Sequence, residues 1–504
     1  MNGQIPERHG AQRAANTVAQ SQVNRIKYAV VVDCGGTDLK FRGIKTDAEK
    51  VVERVNVTKP CGSDLQVFMH NLAEGITVAA GDIGVSIEEL GIVLVDVPGP
   101  MDREGNAIIT NVSKGRQVNM IDGLREDGIV GPIIDGYNDA DAAVLGAVLH
   151  PKVLERIQKV GECIIIGITL GTGIGLAKVR ITMENGEPRF TLLRGRTGAG
   201  EFHIPDFETI WHEKCGCGNR GCPETTPASP GGMVIRGINV VRKVLASPLM
   251  DEGISVIEAA AKGDEFARML MMMGQIELRD GHRKGVPIDL EAFLETTRRR
   301  YVNAVLDSRL IRIALHNGIP DNRYHLRRLE TEREKLTFDD YTKLSEIIRA
   351  SLEQLAANKE LKGRDIFESA QKGDVLSQMI MGEGGGLLAR ALISLVNAEE
   401  ASIVVICGGG ANALVNEGPY STAFYNSFPG PKGVWGEGPR VMGKLQEINV
   451  IPVIVPQDDD QNLALDGLAH EAVTRLSDIE SASAIETREA RKRASRAFGG
   501  SGGQ

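Results

Sequence analysis

The sequence predicts an α/β protein built as two lobes around a cleft, and three observations carry that prediction. A buried-strand pattern opening into a glycine turn occurs at residues 28–36 (YAVVVDCGG) and restarts at 162–179 (ECIIIGITLGTGIGLAKV). A third strand with a glycine turn and a helix start lies at 401–415 (ASIVVICGGGANALV). The length, 504 residues, also exceeds what one ordinary core organises.

The elements follow in order. Residues 1–27 are polar, lack the apolar centre of a secretory leader and are expected to be a disordered tail. After the first strand, 41–45 (FRGIK) and 51–57 (VVERVNV) read as strands that complete a meander, and 65–83 reads as a helix. GIVLVDVPGP at 91–100 is a buried strand stopped by Pro-Gly-Pro. PIIDGYNDADAAVLGAVL at 132–149 is a short strand, then a helix entered through Asn138 and Asp139. These close an N-terminal lobe at 28–150. The second lobe takes 151–253 and 365–482, with RFTLL at 189–193 as a further strand. Between its two parts, 254–364 is highly charged with helical periodicity and reads as an inserted helical subdomain. SVIEAAAKGDEFARML (255–270) resembles DIFESAQKGDVLSQMI (365–380), through duplication of a helix or through the chance likeness of two amphipathic helices. The end, 483–504, closing RKRASRAFGGSGGQ, is expected to be a flexible tail.

Composition excludes some classes of function. The net charge of −9 disfavours nucleic acid, which needs clustered Lys and Arg. It does not disfavour a nucleotide, because backbone amides can hold phosphates. No apolar stretch approaches the ~20 residues of a membrane span, so no membrane partner and a cytoplasmic location are expected. Three of the seven cysteines, Cys215, Cys217 and Cys222, fall within eight residues, the pattern of a metal site and not of a disulfide framework.

The glycine turns supply the first candidate site residues: Asp33, Gly35, Gly36 and Thr37; Gly171, Thr172 and Gly173; Gly408, Gly409 and Gly410. Glycine lets backbone approach phosphate oxygens, Thr adds a donor, and a carboxylate such as Asp33 suits Mg²⁺ held through water. Asn138-Asp139 reads either as a helix N-cap or as an acid that takes the proton of an attacking hydroxyl. In Cys215-Gly-Cys217-Gly-Asn-Arg-Gly-Cys222, three thiolates on a glycine-rich turn can converge on a tetrahedral metal, with His203 and His212 both near as a fourth ligand.

The segments DCGGT, VPGPMD, NDADAAVLGA, LGTGIG, GAGEFH, CGCGNRGCPE and VICGGG occur in the order seen in the ROK family of repressors and sugar kinases, which the chain resembles over about 28–235 and 365–475. The resemblance implies a two-lobed ribonuclease-H-like fold of the actin and hexokinase type, with a zinc-binding loop at 203–224. It implies ATP-dependent phosphorylation of a hexose, glucose first, with Mg²⁺ and a structural Zn²⁺. Asp139 would be the general base; Asn138, Asp139, Glu201, His203 and Glu224 would bind sugar hydroxyls. His203, Cys215, Cys217 and Cys222 would hold zinc, and the three glycine turns would cradle ATP. A homo-oligomer, dimer or tetramer, is also implied.

Two departures stand out. Glu201 and His203 are separated by Phe202 alone, one residue short of the family's Glu-x-Gly-His, so the loop is reshaped or His212 replaces His203 on the metal. Asp38 follows Thr37 where Lys or Asn is common. The rival functions are a transcriptional regulator, for which the segment before Tyr28 shows no helix-turn-helix pattern, and a non-catalytic sugar sensor.

Overall fold

The computed structural model describes residues 28–499 apart from 36, 48–49, 63, 103, 110–111, 114–115, 172, 194–219, 224, 252, 318–321, 359, 400, 428–451 and 457–461. The first half runs β1 (Tyr28–Cys34), β2 (Asp38–Asp47), β3 (Lys50–Pro60), α1 (Leu65–Asp82), β4 (Ile92–Val97), the small pair β5 (Asn106–Ala107) and β6 (Val118–Asn119), α2 (Met120–Glu126), β7 (Ile133–Asn138) and α3 (Asp139–Val148). After α4 (Pro151–Val160) come β8 (Cys163–Leu170), β9 (Ile174–Glu184), β10 (Glu187–Leu192) and α5 (Pro230–Leu245). A helical stretch follows: α6 (Val256–Ala261), α7 (Glu265–Lys284), α8 (Leu290–Leu306), α9 (Arg309–Asn317), α10 (Asn322–Thr331), α11 (Phe338–Ala357), α12 (Gly363–Gln371) and α13 (Val375–Glu399). The chain ends with β11 (Ile403–Cys407), α14 (Asn412–Val415), α15 (Pro419–Ser427), β12 (Val453–Ile454) and α16 (Leu463–Gly499).

The two larger sheets repeat one plan. Their orders are β3-β2-β1-β4-β7 and β10-β9-β8-β11-β12. In each, an antiparallel meander is followed by strands parallel to its first member. The central strands are apolar on both faces because helices cover both faces. Strand alternation then divides each strand between two cores. Ala29 and Val31 of β1 face inward to α3, α16 and the second sheet; Val30, Val32 and Cys34 face outward to Phe68, Leu72 and Ile76 of α1. On β8, Ile165 faces the inner core, and Ile166, Ile168 and Leu170 face α5 and the helical stretch. Each such aliphatic side chain, once fully buried, contributes roughly 1.5–3 kcal/mol.

The inner layer is the crossing of α3 and α16, and glycine permits it. A Cβ on Gly146 would lie 1.9 Å from the Leu463 carbonyl oxygen, and one on Gly467 would lie 2.2 Å from that of Ala142. Salt bridges tie α16 to the first sheet, Arg42 to Asp466 at 2.6 Å and Arg475 to Asp135 at 2.8 Å.

Three expectations change. The helices of 254–364 share one hydrophobic core with the outer face of the second sheet: Leu294, Leu310, Ile348 and Leu352 belong to the same cluster as Ile166 and Val404. They do not close a core of their own. Helix α16 continues to Gly499, into the stretch expected to be a flexible tail, through a run of good helix formers (ETREARKRASRA). Val375–Val396 is long and apolar enough to cross a membrane, although no such stretch was expected. Its charges, Glu383 and Arg390, interrupt the apolar run. More than half of this helix is buried within the fold, and Glu383 pairs there with Arg236 at 3.0 Å.

The sequence likeness of 255–270 and 365–380 is matched in geometry. Both segments are a helix, a left-handed glycine and a second helix capped by aspartate: Gly263 has φ 96° and Gly373 φ 87°. The amide of Asp264 donates to the Ala259 carbonyl and that of Asp374 to the Ser369 carbonyl, both at 3.0 Å. The Asp264 carboxylate accepts from the Ala267 amide and the Asp374 carboxylate from the Ser377 amide, both at 2.7 Å. The turn and cap are therefore the same in the two segments, while their first helices start differently, at Val256 after the Ser255 cap and at Gly363 after Lys362.

Candidate active site

The site begins where β1, β4 and β7 end. The register pairs Asp33 with Asp96 and Asp96 with Tyr137, and sets Val97 beside Asn138. Alternation places Asp33 on the face of Ala29 and Val31, and Asp96 on the face of Ile92 and Leu94, which is the same inner face. Two helices start beside these acids. Asn462 caps α16, its Oδ1 accepting from the Leu465 amide at 3.0 Å, while its Nδ2 donates to Asp33 Oδ2 at 2.7 Å. Asn138 caps α3, its Oδ1 accepting from the Ala140 amide at 2.8 Å.

This settles which of Asn138 and Asp139 is the cap. Asn138 is 2% exposed, and its Nδ2 donates to the Gly99 carbonyl at 2.7 Å, so its amide is bound at both ends. Asp139 is exposed in the first turn of α3, where the helix dipole favours a carboxylate. Its Oδ1 accepts from the Ala140 amide at 2.9 Å.

Asp96 is a site residue that the sequence reading passed over. It is fully buried, and its Oδ1 accepts from the Cys34 amide at 3.2 Å while Oδ2 has no hydrogen-bond partner. Burial pushes its carboxyl well above the usual carboxylate range; the charges of Asp33 and Asp139 push the same way, against the Cys34 amide. Burial likewise raises the Cys34 thiol. The signal was available: one acid inside the apolar run IVLVDV has to meet a partner or keep a proton.

The turn after β1 is tight. The Gly35 amide donates to the Asp38 carbonyl at 2.9 Å, and a Cβ on Gly35 would lie 2.9 Å from the same oxygen. The Thr37 hydroxyl donates to the Asp38 carboxylate at 3.0 Å, so the unusual acid at position 38 occupies the hydroxyl expected to serve phosphate.

The other two glycine turns lie together. Cys407 at the end of β11 pairs with Thr169 at the end of β8. Gly408 has φ 89°, and a Cβ there would sit 2.9 Å from the Leu170 carbonyl oxygen. On Gly410 it would meet the Leu170 Cβ at 2.8 Å. Gly409 opens a short 3₁₀ turn, and the Gly171 amide donates to the Gly173 carbonyl at 3.2 Å. Only glycine allows the turn at Gly408 and Gly410 to approach Leu170 this closely.

Gly36, Thr172, Glu201, His203, His212, Cys215, Cys217 and Glu224 lie outside the described residues. Of the expected zinc ligands only Cys222 is described; it is fully buried, and its carbonyl accepts from the amides of Thr225 at 3.0 Å and Thr226 at 3.1 Å. Among the described residues no group of three or more His, Cys, Asp or Glu is placed to hold a metal ion.

The described residues thus form a repeated five-stranded α/β plan, with acids at the strand ends of one half and glycine turns at those of the other. Over residues 29–274 the chain matches the model of the ROK family. The glucokinase of Thermotoga maritima is 28% identical over 249 residues, which is 47% of this chain and 71% of that protein. Among solved structures, a ROK hexokinase from Thermus thermophilus is 17% identical with a TM-score of 0.48, covering 90% of this chain and 99% of that one. A ROK family transcriptional regulator, homologous to the MLC protein of E. coli, is 13% identical with a TM-score of 0.49, covering 92% and 82%.

Proposed function

We propose that this protein transfers the γ-phosphoryl group of ATP to a hydroxyl of a hexose, glucose being the first candidate, with Asp139 as general base. The supporting observation is Asp139 itself: an exposed carboxylate at a helix start, beside a cap residue whose amide is bound at both ends. Such a group can accept the proton of a hydroxyl as it attacks phosphorus, a role that needs position more than unusual basicity. Asn138 then acts mainly by holding the turn, with one Nδ2 hydrogen left for a sugar hydroxyl. Glu201, His203 and Glu224 would take further hydroxyls, as the family resemblance implies.

The triphosphate is assigned to the glycine cradles at Gly171–Gly173 and Gly408–Gly410, with the turn Asp33–Thr37. Backbone amides there would offset phosphoryl charge without reorganising. Mg²⁺, when bound beside Asp33, supplies neutralisation of the transferring phosphoryl oxygens. Cys215, Cys217 and Cys222 with His203, or His212 in its place, are proposed to hold a structural Zn²⁺ that stiffens the loop carrying Glu224. The relative from Thermotoga maritima, named a glucokinase, supports the sugar assignment.

The test is a panel of hexoses incubated with the purified chain, ATP and Mg²⁺, reading ADP release, with metal analysis of the same sample. Release with glucose or a close relative is expected. No release with any sugar would sink the assignment.

A further inference from the structure

The proposed chemistry leaves one buried group unexplained. Asp96 Oδ2 is fully buried and unpartnered. The Asn462 amide goes to Asp33, Arg42 goes to Asp466 and Asn56, and among the described residues no Lys or Arg pairs with Asp96. A buried carboxylate oxygen with no donor is costly, and folded proteins rarely keep one without an occupant. Asp96 also lies at the paired position beside Asp33, on the same face of the sheet, with Asp139 close enough to act on it electrostatically. Nothing about the strand requires an acid there, since the other positions of IVLVDV are filled by Ile, Val and Leu.

We propose that Asp96, together with Asp33, forms a two-carboxylate seat for a hard divalent cation of the size of Mg²⁺. Such a cation takes one or two protein carboxylates and completes its shell with water and phosphate oxygens, so no third protein ligand is needed. Asp139 stays outside the seat as the base. The inference deepens the kinase reading by naming Asp96 as a direct ligand, but it is a statement about cation binding and is tested without turnover.

The experiment titrates Mn²⁺ into the full chain and follows free Mn²⁺ by electron paramagnetic resonance, with and without AMP-PNP. Wild type, Asp96→Asn and Asp33→Asn are compared, with circular dichroism as the folding control. Wild type is expected to take up one Mn²⁺ at this seat, and Asp96→Asn to weaken that binding by at least ~10-fold. Asp96→Asn with wild-type affinity, or wild type without Mn²⁺ binding, overturns the inference. Should the variant not fold, anomalous scattering from wild-type crystals soaked in Mn²⁺ decides: an ion between Asp33 and Asp96 supports the seat, and an ion elsewhere or none overturns it. The two readings fail separately. Mn²⁺ bound through Asp96 with no sugar phosphorylated removes the kinase and leaves the seat; sugar phosphorylated with Mn²⁺ affinity unchanged in Asp96→Asn does the reverse.

Discussion

Asp139 and Asn138 divide one task between them. Asn138 gives both ends of its amide to the backbone, and Asp139 beside it is exposed. Asp139→Asn keeps the shape and removes the proposed base, so kcat should fall by about 10²–10⁴ with sugar binding nearly intact. Steady-state kinetics beside a sugar-binding isotherm check this, and retained turnover would refute the role. A second residue contributes to the response to acid. His470 of α16 packs edge-on against Phe190 at 5.5 Å, and burial lowers its pKa below the ordinary imidazole value. Glu471 opposes that shift and Arg189 adds to it. Because the folded value lies below the unfolded one, its contribution is complete above the ordinary imidazole range and is lost as pH falls through the window down to the folded value. His470→Gln should therefore flatten the fall in Tm between neutral and mildly acid pH. An unchanged slope would show that other groups carry it.

At the scale of elements, glycine fixes how helices meet. Alanine is the better helix former, yet at position 146 its methyl would press on the Leu463 carbonyl at 1.9 Å. Gly146→Ala should destabilise by about 1–3 kcal/mol, as overpacking does, and should lower kcat as well, since α3 carries Asp139 and α16 begins at Asn462 beside Asp33. Denaturant melts with parallel kinetics would show both effects; loss of stability with no loss of rate would break the link. The two helix pairs allow a matched test. Gly263 and Gly373 hold the same left-handed turn, so Gly263→Ala and Gly373→Ala should each cost about 1–2 kcal/mol. Clearly unequal costs would mean that packing around the two turns has diverged.

For the whole molecule, the proposed function requires the acids at the ends of the first sheet and the glycine turns of the second to act on one pair of ligands. A hexose with AMP-PNP should bind only the folded chain and raise Tm, by about 2.7 kcal/mol of stabilisation at a hundredfold excess over Kd. Differential scanning fluorimetry measures it, and no shift with any sugar would argue against a shared site. Much of this arrangement was legible in the residues. Apolar runs ending in DCGG, LGTGIG and ICGGG located β1, β8 and β11, because a strand buried on both faces has no polar positions and its turn needs glycine. NDAD located the start of α3, since Asn and Asp cap helices. Asp96 escaped because its importance depends on which strand lies beside it, and Asn462 because it is far from Asp33 in sequence.

Local order was thus determined by the sequence alone: strand and helix periods, glycine turns, the cysteine spacing and the repeated helix pair all depend on neighbours within a few residues. Tertiary structure alone decided the rest. It placed Asp96 beside Asp33, engaged the amide of Asn138, gave the Thr37 hydroxyl to Asp38, and merged the helices of 254–364 into the second sheet's outer core. Each of these is a meeting of segments distant in the chain or a choice among local partners. Burial and hydrogen bonding in the folded core make that choice, and propensity does not.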